Sequence, residues 1–214
     1  MANTFSATQY LKDILHIEFD IEDMGVISFC LGIDILYNQD KRVIHFSQQG
    51  YISQILERFH MASCYPTSTH MEGLSPFSNL HNKGDTVNFP YGSLIGFLMY
   101  ASICARPNIA FATNKLSQFL ENPSPTHWKA AKRILKYLKG TSDLGLTFQA
   151  SSSDMRLHVD VDWPSDPTDQ ISISGYCVFI GNVVALWGSK KQNSVALSTT
   201  EAEYMALAYG IKEV

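Results

Sequence analysis

Residues 155–163, 173–181 and 182–190 read "MRLHVDVDW", "ISGYCVFIG" and "NVVALWGSK". Each run is rich in β-branched and aromatic residues, and Gly181-Asn182 between the last two is a tight-turn signal. "QNSVALSTT" (192–200) then leads into a helical run. The expected unit is a three-stranded antiparallel meander followed by a helix. Asp160 and Asp162 alternate along the first strand, so their side chains leave one face. Like charges side by side cost stability unless a cation offsets them. Either Asp162 already lies in the turn "DWPSD", or the pair faces a divalent cation such as Mg2+.

Glu201 and Glu203 open the final helix. Ser198-x-x-Glu201 and Thr200-x-x-Glu203 both fit the capping-box pattern, and the helix dipole favours acid there in any case. Alone, these glutamates read as caps. Together with an acid on the first strand of the meander they read as part of a two-metal nuclease site, in which metals about 4 Å apart activate water and stabilise the leaving oxygen. No P-loop, GxSxG or HExxH motif competes, and the histidines are scattered.

Upstream, helical spacing covers 7–19, a strand-like run covers 24–38, "NQDK" turns, and "RVIHFS" (42–47) returns as a second strand. Ser47 is placed to cap a helix with the apolar stripe Ile52, Ile55, Leu56 and Phe59. Residues 61–89 have no period and read as a long connector, functional or mobile. Arg106-Pro107 should divide 90–121 into two helices, because the residue before proline is pushed out of the α region. "SPTHWKAAKRILKYLKG" (124–140) has Ser124 or Thr126 as N-cap and Gly140 as a C-terminal stop. Lys129, Lys132, Arg133, Lys136 and Lys139 form one stripe on this helix: a solvated face, or a phosphate-tracking one.

At 214 residues and 45% hydrophobic, the chain can bury one large core or two small ones. A net charge of -4 excludes a general basic coat, so any polyanion contact must be local. Cys30, Cys64, Cys104 and Cys177 lack metal-ligand spacing and read as reduced thiols of an intracellular protein. The longest apolar run, 94–105, is shorter than the roughly 20 residues a membrane helix needs.

The segment "YGSLIGFLMYASICARPNIAFATNKLSQFLENPSPTHWKAAKRILKYLKGT" (91–141) closely resembles the region after the polymerase palm in copia-type retrotransposon Pol polyproteins. "DVDWPSD", "SISGYCVFIG" and "WGSKKQNSVALSTTEAEYMAL" resemble the ribonuclease H domain of the same family. "FDIEDMGVISFCLGIDI" and "IHFSQQGYISQIL" resemble the end of its reverse transcriptase palm and the start of its thumb. The resemblance implies an α+β chain in three parts: a palm remnant with a β-hairpin at 1–47, thumb/connection helices at 48–150, and a truncated ribonuclease H-like β-meander plus helix at 151–214.

It also implies roles. Asp160 and Glu203 stand where the first two ribonuclease H acids would be, holding Mg2+, with Asp162 as an adjacent metal-site acid. Lys129, Lys132, Arg133, Lys136 and Lys139 are expected to meet the phosphates of an RNA–DNA hybrid or template–primer. The family's Tyr-x-Asp-Asp motif does not occur, and its third ribonuclease H acid belongs to a later strand that this chain does not reach. Pro164-Ser165 replace the family's small residues, and Gln170 and Ile171 stand where it tends to carry basic ones, suggesting relaxed constraint. The expectation is a catalytically inactive Pol fragment that self-associates through an exposed sheet edge. The alternative is residual Mg2+-dependent ribonuclease H activity.

Overall fold

The computed structural model describes residues 5–72, 89–149, 154–162 and 170–214. Within them the chain is mixed α+β, with two antiparallel sheets flanking a helical core. Helix α1 (Phe5–Glu18) comes first. Its stripe has helical spacing, yet Tyr10, Leu11, Ile14, Leu15 and Ile17 are all exposed.

Strands β1 (Phe29–Cys30), β2 (Ile33–Asn38) and β3 (Val43–Ser47) follow. The expected single strand over 24–38 is broken at Leu31-Gly32. Both have positive φ, +50° and +74°, which makes the two-residue turn that returns Cys30 onto Ile33. Strand β4 (Gly145–Gln149) pairs with β3, completing the order β1-β2-β3-β4. The first sheet is thus closed by a strand that follows the helices.

Those helices are α2 (Gln49–Arg58), α3 (Tyr91–Cys104), α4 (Ala110–Ser117) and α5 (Pro125–Gly140). Ile52, Ile55, Leu94, Leu98, Leu116 and Leu135 bury one another there. The break at Arg106-Pro107 is present, with a 3-10 turn over Pro107–Ile109 before α4. Ser47 is not the cap of α2: Gln48 holds that position, and without a side-chain hydrogen bond. Ser124 caps α5, accepting from the His127 amide while its own amide donates to His127 Nδ1 at 3.0 Å. Gly140 is the last residue of α5 rather than a stop beyond it. A Cβ there would sit 2.9 Å from Pro66, so close packing explains the glycine.

The second sheet has the order β5-β6-β7, from Met155–Asp162, Ile173–Ile180 and Val183–Lys191. Helix α6 (Thr199–Lys212) packs on it. Gly210 lets the helix approach, since a Cβ there would meet Val159 Cγ1 at 2.6 Å. Among the described residues no helix is long and apolar enough to cross a membrane.

Candidate metal and nucleic-acid site

Strand alternation divides the second sheet into two faces. Val159 pairs with Tyr176 and Tyr176 with Gly188, and the Tyr176 ring meets Tyr209 of α6 edge-on at 5.2 Å. That face lies under α6. Asp160 pairs with Gly175 and Gly175 with Ser189, and Asp162 shares their face. This second face looks toward the helical core. The Trp187 indole donates to the Ser102 carbonyl at 2.7 Å. Between the sheet and α4 is a cavity of about 410 Å3, lined by Pro107, Phe111, His158, Asp160, Asp162 and Trp187.

Asp162 is the last residue of β5, not part of the following turn; 163–169 lie outside the described residues. Asp160 is exposed, and its Oδ1 accepts from the Val161 amide at 2.9 Å. Burial pushes the Asp162 carboxyl above its ordinary range, the Lys115 ammonium of α4 draws it back, and the Asp160 charge adds to the rise. Lys115 is buried at 7% exposure on a helix whose neighbouring buried residues are Ala112, Thr113 and Leu116. Its charge is felt by Asp162.

The two glutamates of α6 separate by role. The Glu201 amide donates to Ser198 Oγ at 3.1 Å, and Glu201 Oε2 accepts from the Leu197 amide at 2.7 Å. Glu201 is therefore the capping acid. Glu203 is exposed and takes no part in that cap. It stands on the helix that covers the sheet face opposite Asp160 and Asp162. Among the described residues no group of three or more His, Cys, Asp and Glu side chains could hold a metal. As placed, Asp160, Asp162 and Glu203 do not fit a two-metal site, which needs several carboxylates converging on both ions.

The basic stripe of α5 is partly spent inside the protein. Arg133 pairs with Glu72 and donates to Thr69 Oγ1 at 2.9 Å. Lys139 Nζ donates to the Ala62 and Cys64 carbonyls, both at 2.7 Å. Lys132 lies over the Trp128 ring at 5.6 Å. Lys129 is exposed and Lys136 half-buried, with no hydrogen bond or ion pair to either side-chain ammonium among the described residues. Residues 61–72, the first part of the expected connector, are the strap that engages these cations. The Thr67 amide also donates to the Lys136 carbonyl at 3.4 Å. The rest of that connector, 73–88, lies outside the described residues.

Residues 2–73 match the family of reverse transcriptase (RNA-dependent DNA polymerase). The chain is 40% identical over 210 residues, 95% of its length, to the retrovirus-related Pol polyprotein from transposon TNT 1-94 of Nicotiana tabacum. It is 37% identical over 94% of its length to the Pol polyprotein from transposon RE2 of Arabidopsis thaliana. This chain belongs to the copia-type retrotransposon Pol family. It spans 16% and 14% of those two Pol polyproteins. An uncharacterized mitochondrial protein of Arabidopsis thaliana, AtMg00810, is 31% identical over 92% of this chain and 80% of its own length. No solved structure matches.

In this Pol segment the residue that sequence reasoning missed is Lys115. The signal was available: a lysine on the buried side of α4, beside Leu116, favours an acid in its surroundings, and Asp162 is an acid that feels its charge.

Proposed function

We propose that this segment supplies the palm edge (1–47), the thumb/connection (48–150) and a ribonuclease H-like part (151–214) of a Pol protein, and that it holds nucleic acid without cleaving it. The single observation that carries this reading is the division of the acids. Asp160 and Asp162 leave one face of the sheet, and Glu203 rides on the helix over the other. A two-metal mechanism needs its carboxylates converged, so this arrangement supports binding over hydrolysis. The partner is an RNA–DNA hybrid or template–primer, met through phosphates rather than bases. Lys129, Lys132 and Lys136 are the stripe cations least engaged by the protein, and they carry that contact. Arg133 and Lys139 hold the strap.

The test is incubation of a labelled RNA–DNA hybrid with the chain and Mg2+ or Mn2+, beside the Asp160→Asn and Glu203→Gln variants. Salt-dependent binding is read on the same samples. The expected result is binding that weakens with salt and no cleavage. Cleavage abolished in both variants would overturn the reading and establish a working metal site. Absence of binding at low salt would overturn it equally.

A further inference from the structure

A second cavity, of about 370 Å3, lies on the α6 side of the second sheet, bounded by Ser174, Lys190, Gln192, Tyr209, Lys212 and Glu213. Its polar groups are of two kinds. Lys190 reaches in from β7, its Nζ 5.7 Å from the centre of the Tyr209 ring. Lys212 comes from the last turn of α6, and Asn193 adds a side-chain amide. Glu213, next to Lys212 in the chain, adds one carboxylate.

The floor of the cavity is built rather than incidental. Gln192 is nine-tenths buried, and its Nε2 donates to Ser174 Oγ and to the Ala202 carbonyl, both at 3.0 Å. Those bonds tie β6, the segment after β7 and α6 together under the two lysines. Gln192 Oε1 is left with no hydrogen-bond partner. Enclosed as it is, that acceptor is out of a ligand's reach, and the Gln192 side chain fixes this wall of the cavity rather than touching what binds there.

We infer that this cavity binds a ribonucleoside phosphate, with the phosphate between Lys190 and Lys212 and the ribose hydroxyls toward Glu213. Lys190, Lys212 and the Asn193 amide answer the phosphate charge, while the third lining lysine, Lys191, donates to Gln118 Oε1 at 3.4 Å. A lone carboxylate beside them would oppose a bare anion but accepts hydrogen bonds from a vicinal diol, which selects a sugar phosphate over inorganic phosphate. The volume is that of a small-ligand site. Burial first, and the Glu213 charge after it, push the Tyr209 phenol up, so at neutral pH it remains a neutral O–H donor and does not repel the ligand. None of these residues belongs to the Asp160 face or to the α5 stripe. The inference therefore stands or falls separately from the reading proposed above.

The full chain is titrated with AMP, 2′-deoxy-AMP and inorganic phosphate, following amide and aromatic NMR shifts. Saturable shifts centred on Tyr209 and Lys190 are expected for AMP, with affinity about fivefold above 2′-deoxy-AMP and further above phosphate. Lys190→Met and Lys212→Met should each weaken AMP binding about tenfold. Glu213→Gln should remove the preference for ribose. All three side chains are exposed, and unchanged spectra elsewhere confirm that the variants fold. A 5′-phosphorylated RNA oligonucleotide distinguishes the sources. Tighter binding that AMP displaces assigns the site to a strand, and binding of AMP alone assigns it to free nucleotide. Absence of saturable shifts up to about 10 mM AMP overturns the inference, as does AMP binding indifferent to both lysine variants. Phosphate binding equal to AMP overturns the ribose assignment.

Discussion

The Arg106 guanidinium closes on Thr141, donating to its carbonyl oxygen at 2.8 Å and to its hydroxyl at 2.6 Å. Arg106 is 1% exposed and follows α3, while Thr141 follows α5, so one side chain ties two helix ends. Its ring-facing contact is Tyr137, 5.8 Å away. Lysine cannot reproduce the planar fork, so Arg106→Lys buries an ammonium that reaches fewer of these partly buried acceptors. The expected loss is about 2–3 kcal/mol, read as a lower urea midpoint with an unchanged slope.

Asp162 predicts a pH dependence of known sign. Its folded carboxyl is raised above the unfolded value, chiefly by burial. The folded state therefore binds the proton more tightly, and a destabilising contribution appears as pH rises from the unfolded pKa through the folded one. Asp162→Asn should flatten the dependence of Tm on pH between about 3 and 7, whatever the loss of the Lys115 partner does to Tm itself. An unchanged slope in the variant would mean that the Asp162 carboxyl is not its source. Removing Lys115, the opposing cation, should lower Tm at pH 7 and have little effect through Asp162 at pH 3.

The α5 cations should divide into two groups in a hybrid-binding assay. Lys129→Gln with Lys136→Gln should reduce the salt slope by about 2 while leaving Tm nearly unchanged. Arg133→Gln with Lys139→Gln should instead lower Tm, because these residues bind the 61–72 strap. Equal loss of slope from both pairs would show that the strap yields its cations to nucleic acid.

Gly210→Ala should lift α6 from β5. The added methyl meets Val159 Cγ1 at 2.6 Å and Leu157 Cδ1 at 3.2 Å. Overpacking costs about 1–3 kcal/mol, and alanine's better helix propensity returns up to about 1 kcal/mol. The net expectation is a drop in stability, measured by chemical denaturation, with Gly210→Val worse still.

Elements whose signal is local were readable from the sequence. The three runs at 155–190 became β5, β6 and β7 because β-branched residues and Gly181-Asn182 act over a few positions. Ser124 and the Arg106-Pro107 break were visible for the same reason. What escaped depends on distant partners. Nothing near Gly145 announces that it pairs with Ser47, and nothing near Arg133 announces Glu72. The acids illustrate the same limit. Alternation put Asp160 and Asp162 together correctly, but which face α6 covers is set by tertiary packing through Gly210. The two capping-box patterns in α6 were equivalent on paper, and only the start of the helix at Thr199 selected Ser198 with Glu201.

The pairing of β3 with β4 has a kinetic consequence. His45 Nδ1 and Thr147 Oγ1 lie 2.8 Å apart although they are 102 positions distant in sequence. A β1-β2-β3 meander forms from near neighbours, but its fourth strand must wait until α2 to α5 have condensed and brought Gly145–Gln149 back. Loop closure over that span is entropically costly before the helices fold and cheap afterwards. The expected order of events is therefore helices first and sheet closure last. Until closure, β3 offers an unpaired edge, so mutations that slow helix packing should increase aggregation during refolding even where they leave the final stability unchanged.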